Sequence, residues 1–151
     1  MRCRRRCADA VRYLAVDLGA KRTGLAAGDD VVRLVQPVEV IDVPRGPALV
    51  EALARAVERH GPDALVVGLP LNMDGSEGAA AAEVRSFGAT VAARTGLAVH
   101  FHDERLSSFE ADQRMARSGR THREKKQLRD ALAACAILEA YLADAGRHDP
   151  A

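Results

Sequence analysis

The sequence predicts an α/β fold: a mixed sheet of about five strands, an antiparallel meander followed by parallel strands, with helices on both faces. Three observations predict it. Residues 11–43 hold short apolar or β-branched runs joined by tight turns, the mark of antiparallel neighbours. From Leu49 the apolar period becomes helical. Beyond His60, strand-like and helical runs alternate, so each later strand is reached by a crossover and runs parallel.

Residues 11–18 are an apolar run bounded by Gly19, a first strand. Residues 23–27 are a second, ended by a turn at Gly28, Asp29 and Asp30. Residues 31–43 are β-branched and hold one or two strand pieces around Pro37. Leu49, Leu53, Ala56, Val57 and His60 recur at helical spacing, and Gly61-Pro62 stops them. "ALVVGL", residues 64–69, is apolar throughout, which marks a strand covered on both faces. Residues 77–95 read as a helix capped by Ser76 and ended by Gly96. Residues 97–102 are the last strand. Ser107-x-x-Glu110 and Thr121-x-x-Glu124 are capping boxes, each opening a closing helix, with the polar loop "RSGRTH" between them.

At 151 residues the chain makes one domain with its own core. Residues 11–145 form that domain, residues 1–10 a frayed basic extension and residues 146–151 a tail. The chain is 48% hydrophobic, so it is globular rather than disordered. Aromatics are only 3% and alanine is abundant, so the core is aliphatic and closely spaced. The net charge of +1 gives no global basic field, and any nucleic-acid surface must be a local patch. Cys3, Cys7 and Cys135 are odd in number and lack zinc spacing with the histidines, which fits a reducing cytoplasm. "MRCRRRC" is basic like a signal-peptide start, but no apolar h-region follows it, and no stretch is long enough to cross a membrane.

Three carboxylates stand out. Asp17 lies near the end of the first strand, where alternation puts it on one face with Tyr13 and Ala15. Glu104, in "HFHDERLSS", lies just past the carboxyl end of the last strand. Asp130 is in the final helix. At about 100° per residue it falls beside Ala134, Ile137 and Tyr141, on the edge of the apolar stripe and away from Lys125 and Arg129. An acid facing a core is costly unless something neutralises it. If that helix packs over the first strand, the three acids converge, and the usual remedy for converging acids is a divalent cation. Taken singly, each acid also has an ordinary reading: a turn residue for Asp17, an arginine partner for Asp130. Asp-x-Gly at Asp17 also opens the phosphate loop of the actin, heat-shock and sugar-kinase ATPases. That architecture needs two copies of the fold, and the sequence shows one.

The loop "GLPLNMDGSEG", residues 68–78, follows the buried strand and precedes a helix. Its glycines let backbone approach a ligand, Asn72 and Ser76 offer hydrogen bonds, and the helix start offers free N–H groups to a phosphate. On composition alone it is equally an ordinary strand-to-helix loop.

"AVDLGAKRTGLA", "VVGLPLNMDGSEG", "HDERLSS" and "RDALAACAILEAYL" together resemble the YqgF family, also called RuvX, over residues 13–142. The resemblance implies an RNase H-like fold and Mg²⁺- or Mn²⁺-dependent cleavage of nucleic acid in the cytoplasm. The family is associated with trimming the 5′ end of precursor 16S rRNA and with resolving Holliday junctions. Its acidic triad falls on Asp17, Glu104 and Asp130. Ser107-Ser108 stands where the family often has Ser-Thr or Thr-Thr, which keeps the hydroxyls. The "CRRRC" extension has no counterpart in the family motifs.

A phosphodiester repels nucleophiles, and two divalent ions about 4 Å apart activate water and stabilise the leaving oxygen. On this reading Asp17 bridges the ions, and Glu104 and Asp130 hold one each. Lys21 and Arg22, on the turn beyond Asp17, are placed to meet the phosphate backbone. Arg105, Lys125, Lys126 and Arg129 extend that patch or are simply solvated. Three functions follow: an endonuclease on precursor rRNA, working with ribosomal particles; a resolvase of branched DNA; or a non-catalytic nucleic-acid-binding factor. A resolvase needs a two-fold homodimer, whereas a trimming nuclease needs only one site per substrate, so the chain is a monomer or a homodimer.

Overall fold

Short connections between β-rich runs build the first half of the sheet. In a computed structural model, which describes residues 11–19, 21–31, 34–103 and 122–147, β1 (Arg12–Leu18), β2 (Thr23–Asp29) and β3 (Gln36–Ile41) form an antiparallel meander. Helix α1 (Pro47–His60) leads to β4 (Ala64–Leu69), and α2 (Ala79–Thr95) leads to β5 (Ala98–Asp103). Both β4 and β5 join the sheet in parallel, as crossovers require. Helix α3 (His122–Arg147) closes the chain; its side chains are described for residues 129–144. The strand order is β3-β2-β1-β4-β5, so β1 is the central strand of five.

Alternation divides the sheet into two faces. Leu14, Val16 and Leu18 of β1 join Leu65 and Val67 of β4 in a core covered by α1 and α2. Ala15, Ala26 and Val66 face the other way and pack against Ala134, Ile137, Leu138 and Leu142 of α3. The side chains under α3 are small, which lets that helix lie close to the sheet. All six residues of β4 are buried, as its unbroken apolar run predicts.

Several boundaries differ from the sequence reading, each for a local reason. Strand β2 continues through Gly28 and Asp29, because Tyr13 and Arg12 supply partners for them. Pro37 does not split β3. It sits on the edge strand at a register shift, where a missing N–H costs little. Helix α2 begins at Ala79 rather than residue 77, with Gly78 as N-cap and no side-chain cap, so Ser76 does not cap it. Glu77 is instead drawn into a bridge with Leu71 and a forked ion pair with Arg85. Helix α1 ends as expected, on a left-handed Gly61 followed by Pro62. The two capping boxes fall wholly or partly outside the described residues, as do the expected extension at 1–10 and residues 148–151 of the tail. No described helix is long and apolar enough to cross a membrane.

Candidate metal centre at the carboxyl end of the sheet

Asp17 is the penultimate residue of β1, and its cross-strand partner is Gly24 of β2. Cross-strand partners point to the same face. On that face the backbone of α3 lies directly over Gly24: a Cβ built there would stand 1.9 Å from the Asp130 carbonyl oxygen and 2.8 Å from the Ala131 nitrogen. Only glycine permits this approach. Asp17 and Asp130, far apart in sequence, are thereby brought to one end of one sheet face. Both are partly exposed, as groups that meet a ligand must be.

The turn between β1 and β2 brings a cation to the same place. The Gly19 N–H donates to the Arg22 carbonyl at 2.9 Å, and a Cβ at Gly19 would meet that oxygen at 2.4 Å. With the turn so fixed, the Arg22 Nε–H donates to Asp130 Oδ2 at 2.7 Å, and both side chains are about a quarter exposed. The sequence reading sent Arg22 to phosphate and allowed Asp130 an arginine partner; the two residues are each other's partners. Lys21 is exposed on the bend beside them.

The carboxyl ends of β4 and β5 open at the same end of the sheet, since Val16 pairs in parallel with Val67 and Leu69 with Asp103. Ligands of open α/β sheets sit there. The loop after β4 is a self-braced turn. Asn72 N–H donates to the Ser76 carbonyl, Gly75 N–H to the Asn72 carbonyl, and Asn72 Nδ2 to Ser76 Oγ. Ser76 in turn donates to Asp74 Oδ1 through both its amide and its hydroxyl. Asn72 and Ser76 therefore stand at the right end of the sheet, with side chains engaged in shaping the turn.

Glu104 follows Asp103 directly and, with Arg105, lies outside the described residues, as do the side chains of Lys125 and Lys126. Arg129 is exposed on α3. Among the described residues no group of three His, Cys, Asp or Glu converges on one point; Asp17, as the cross-strand partner of Gly24, and Asp130, whose backbone lies over Gly24, stand at one end of one sheet face. An all-oxygen pair of this kind suits a hard divalent ion. The guanidinium on Asp130 also shows that its carboxylate is presented to positive charge. The residue that sequence reasoning missed is Gly24. Its glycine identity is visible, but its meaning depends on which helix lands on it.

Two carboxylates at the mouth of a five-stranded mixed sheet can be set beside known proteins. The family model RuvX, described as Holliday junction resolvase, matches residues 11–144. A relative from Anaeromyxobacter sp. (strain Fw109-5), named "Putative pre-16S rRNA nuclease", is 44% identical over 138 residues, 91% of this chain and 99% of its own length. One of the same name from Moorella thermoacetica is 37% identical over 138 residues, again 91% and 99%. T. thermophilus RuvC in complex with Holliday junction substrate has a TM-score of 0.57 at 16% identity, over 90% of this chain and 96% of that one. The fowlpox virus Holliday junction resolvase gives a TM-score of 0.57 at 12% identity, over 89% and 99%. At such identities these structures speak to fold, and the fold they share is RNase H-like. With the family model covering nearly all of the described residues, the chain belongs to the RuvX family.

Proposed function

We propose that the chain is a divalent-metal-dependent phosphodiester hydrolase that trims the 5′ end of precursor 16S rRNA in the cytoplasm. The observation that supports the chemistry is that Gly24, the strand partner of Asp17, lies directly under the α3 backbone at Asp130, at the carboxyl end of the central strand. The substrate is supported by the relatives that bear the pre-16S rRNA nuclease name over nearly their full length.

Asp17 and Asp130, with Glu104 as the third acid, would hold Mg²⁺ or Mn²⁺. A bound pair of such ions activates water and stabilises the leaving oxygen. The chain's own groups do the rest. Asp17 sits on the central strand and pairs with Gly24 of β2, so its backbone is fixed before substrate arrives. Lys21 and Arg22 bind the phosphate backbone from the β1–β2 turn. The braced turn at residues 70–78 follows β4 at the same end of the sheet, with Asn72 and Ser76 keeping its shape.

A second reading, resolution of branched DNA, is favoured by the description of the family model. The experiment that separates them is cleavage of matched precursor rRNA and four-way DNA with Mg²⁺, Mn²⁺ or EDTA. Metal-dependent cuts at the rRNA 5′ boundary support the first reading. Paired symmetric cuts in the junction, with rRNA untouched and a dimeric solution mass, support the second. Binding of either substrate without any cleavage would leave only a nucleic-acid-binding factor.

A further inference from the structure

Arg22 is used differently from Arg85 and Arg94 on the surface. Arg85 and Arg94 each grip a glutamate with two nitrogens, Nε and Nη2, on two oxygens. Arg22 meets Asp130 through Nε alone, on Oδ2 alone. Among the described residues neither of its terminal amino groups, nor the second oxygen of Asp130, makes a hydrogen bond. Half of each group is spent on the other, and half of each remains. The Arg22 side chain is about a quarter exposed. A planar guanidinium has donors in a fixed fork, so it can serve two acceptors at once without moving.

We infer that Arg22 couples the two halves of the site: Nε–H holds the Asp130 carboxylate in place for a cation on its other oxygen, while the Nη groups bind one phosphate of the nucleic acid beside that carboxylate. The inference rests on the metal-dependent reading of Asp17 and Asp130. It adds a reason for the arginine. The same side chain that orients a metal ligand also fixes which phosphate stands next to it. Arg22 is in this sense a positioning residue for Asp130 and a contact residue for substrate.

The two duties come apart in substitutions. Gln Nε2 lies the same number of bonds from the backbone as Arg Nε. Arg22→Gln thus keeps a donor for Asp130 and removes the charge and the terminal amino groups, whereas Arg22→Ala removes both functions. Mn²⁺ affinity is measured by titration of the nucleic-acid-free protein, and nucleic-acid affinity in EDTA as a function of salt. Arg22→Ala should bind Mn²⁺ about tenfold more weakly, the low end for loss of a group that orients a ligand, because the guanidinium's own charge works against the cation. Arg22→Gln should hold Mn²⁺ within about threefold of wild type, the hydrogen bond being kept. Both variants should lose about 0.7–0.9 from the log–log salt slope, one phosphate contact. Unchanged or tighter Mn²⁺ binding in Arg22→Ala overturns the positioning role. An unchanged salt slope in both variants overturns the phosphate contact and leaves a purely structural ion pair. If wild type binds no Mn²⁺ and Asp17→Asn cleaves normally, the metal reading itself fails. The slope in EDTA still decides the phosphate contact in that case.

Discussion

Gly24→Ala is the smallest change that acts on the whole site. The added Cβ would stand 1.9 Å from the Asp130 carbonyl oxygen and 2.3 Å from its carbon, where real Cβ atoms essentially never come closer than 3.0 Å. The obstacle is helix backbone, not the end of a flexible side chain, so α3 must retreat by at least about 1.1 Å, the difference between those two distances. That retreat loosens Ala134, Ile137 and Leu138 from Ala15, Ala26 and Val66. Overpacking of this kind costs about 2 kcal/mol or more. For a domain of this size that lowers Tm by about 4–8 °C. The same movement carries Asp130 away from Asp17, and a displacement of about 1 Å at a reacting centre can cost about 100-fold in rate. Urea and thermal denaturation measure the first effect, and metal-dependent cleavage by the folded variant the second. Wild-type stability together with wild-type cleavage would refute the close approach of α3 to β2 and the site built on it.

Gly88→Ala is the matching control on the other face. There the new Cβ meets the Phe101 ring at 2.6 and 2.9 Å, a side chain that can shift, so stability should fall by about 1 kcal/mol while cleavage is unchanged; lost cleavage would mean that the α2 face also sets the site. Thr23 is fully buried and, among the described residues, its hydroxyl has no hydrogen-bond partner. Thr23→Val should therefore raise stability by about 1 kcal/mol in urea titrations, and a loss would reveal a partner for the hydroxyl. Burial raises the Glu39 pKa, but hydrogen bonds from Arg59 and His60 outweigh it and leave the carboxyl below the ordinary 4.5. That stabilisation is present above the unfolded-state pKa and is lost as pH falls through the folded one. Wild type should accordingly lose more stability on acidification below pH 4.5 than Glu39→Gln, by less than about 1 kcal/mol for a pair this exposed. Equal losses would show that the pair contributes nothing.

What the sequence made legible was local. The apolar run at residues 64–69, the helical period from Leu49 and the Gly61-Pro62 stop each follow from chemistry within a few residues, and each element stands where its pattern puts it. Asp17 was visible because an acid in an apolar strand is anomalous by itself. Asp130 was visible as the edge of a stripe, but a helical stripe says which side is buried, not which strand lies beneath. The crossing over β2, and with it the role of Gly24, is fixed by small residues on two strands and one helix acting together. Arg22 illustrates the same limit: its charge pointed to phosphate, and only the turn closed by Gly19 shows that it reaches Asp130 first. Ser76 misled because Ser-x-x-x before a helix looks like a cap, whereas Asp74 and Asn72 bind it within their own turn.

On the proposed function, Asp17 serves a cation rather than the fold. Cleavage of precursor 16S rRNA by wild type and Asp17→Asn, in Mg²⁺ and in EDTA, tests it most directly when paired with melting curves of the metal-free proteins. Neither Asp17→Asn nor wild type in EDTA should cleave. Metal-free Asp17→Asn should remain folded and melt cooperatively, so that the loss is of chemistry and not of the fold. Undiminished cleavage by Asp17→Asn, in a preparation shown free of other nucleases, would contradict it.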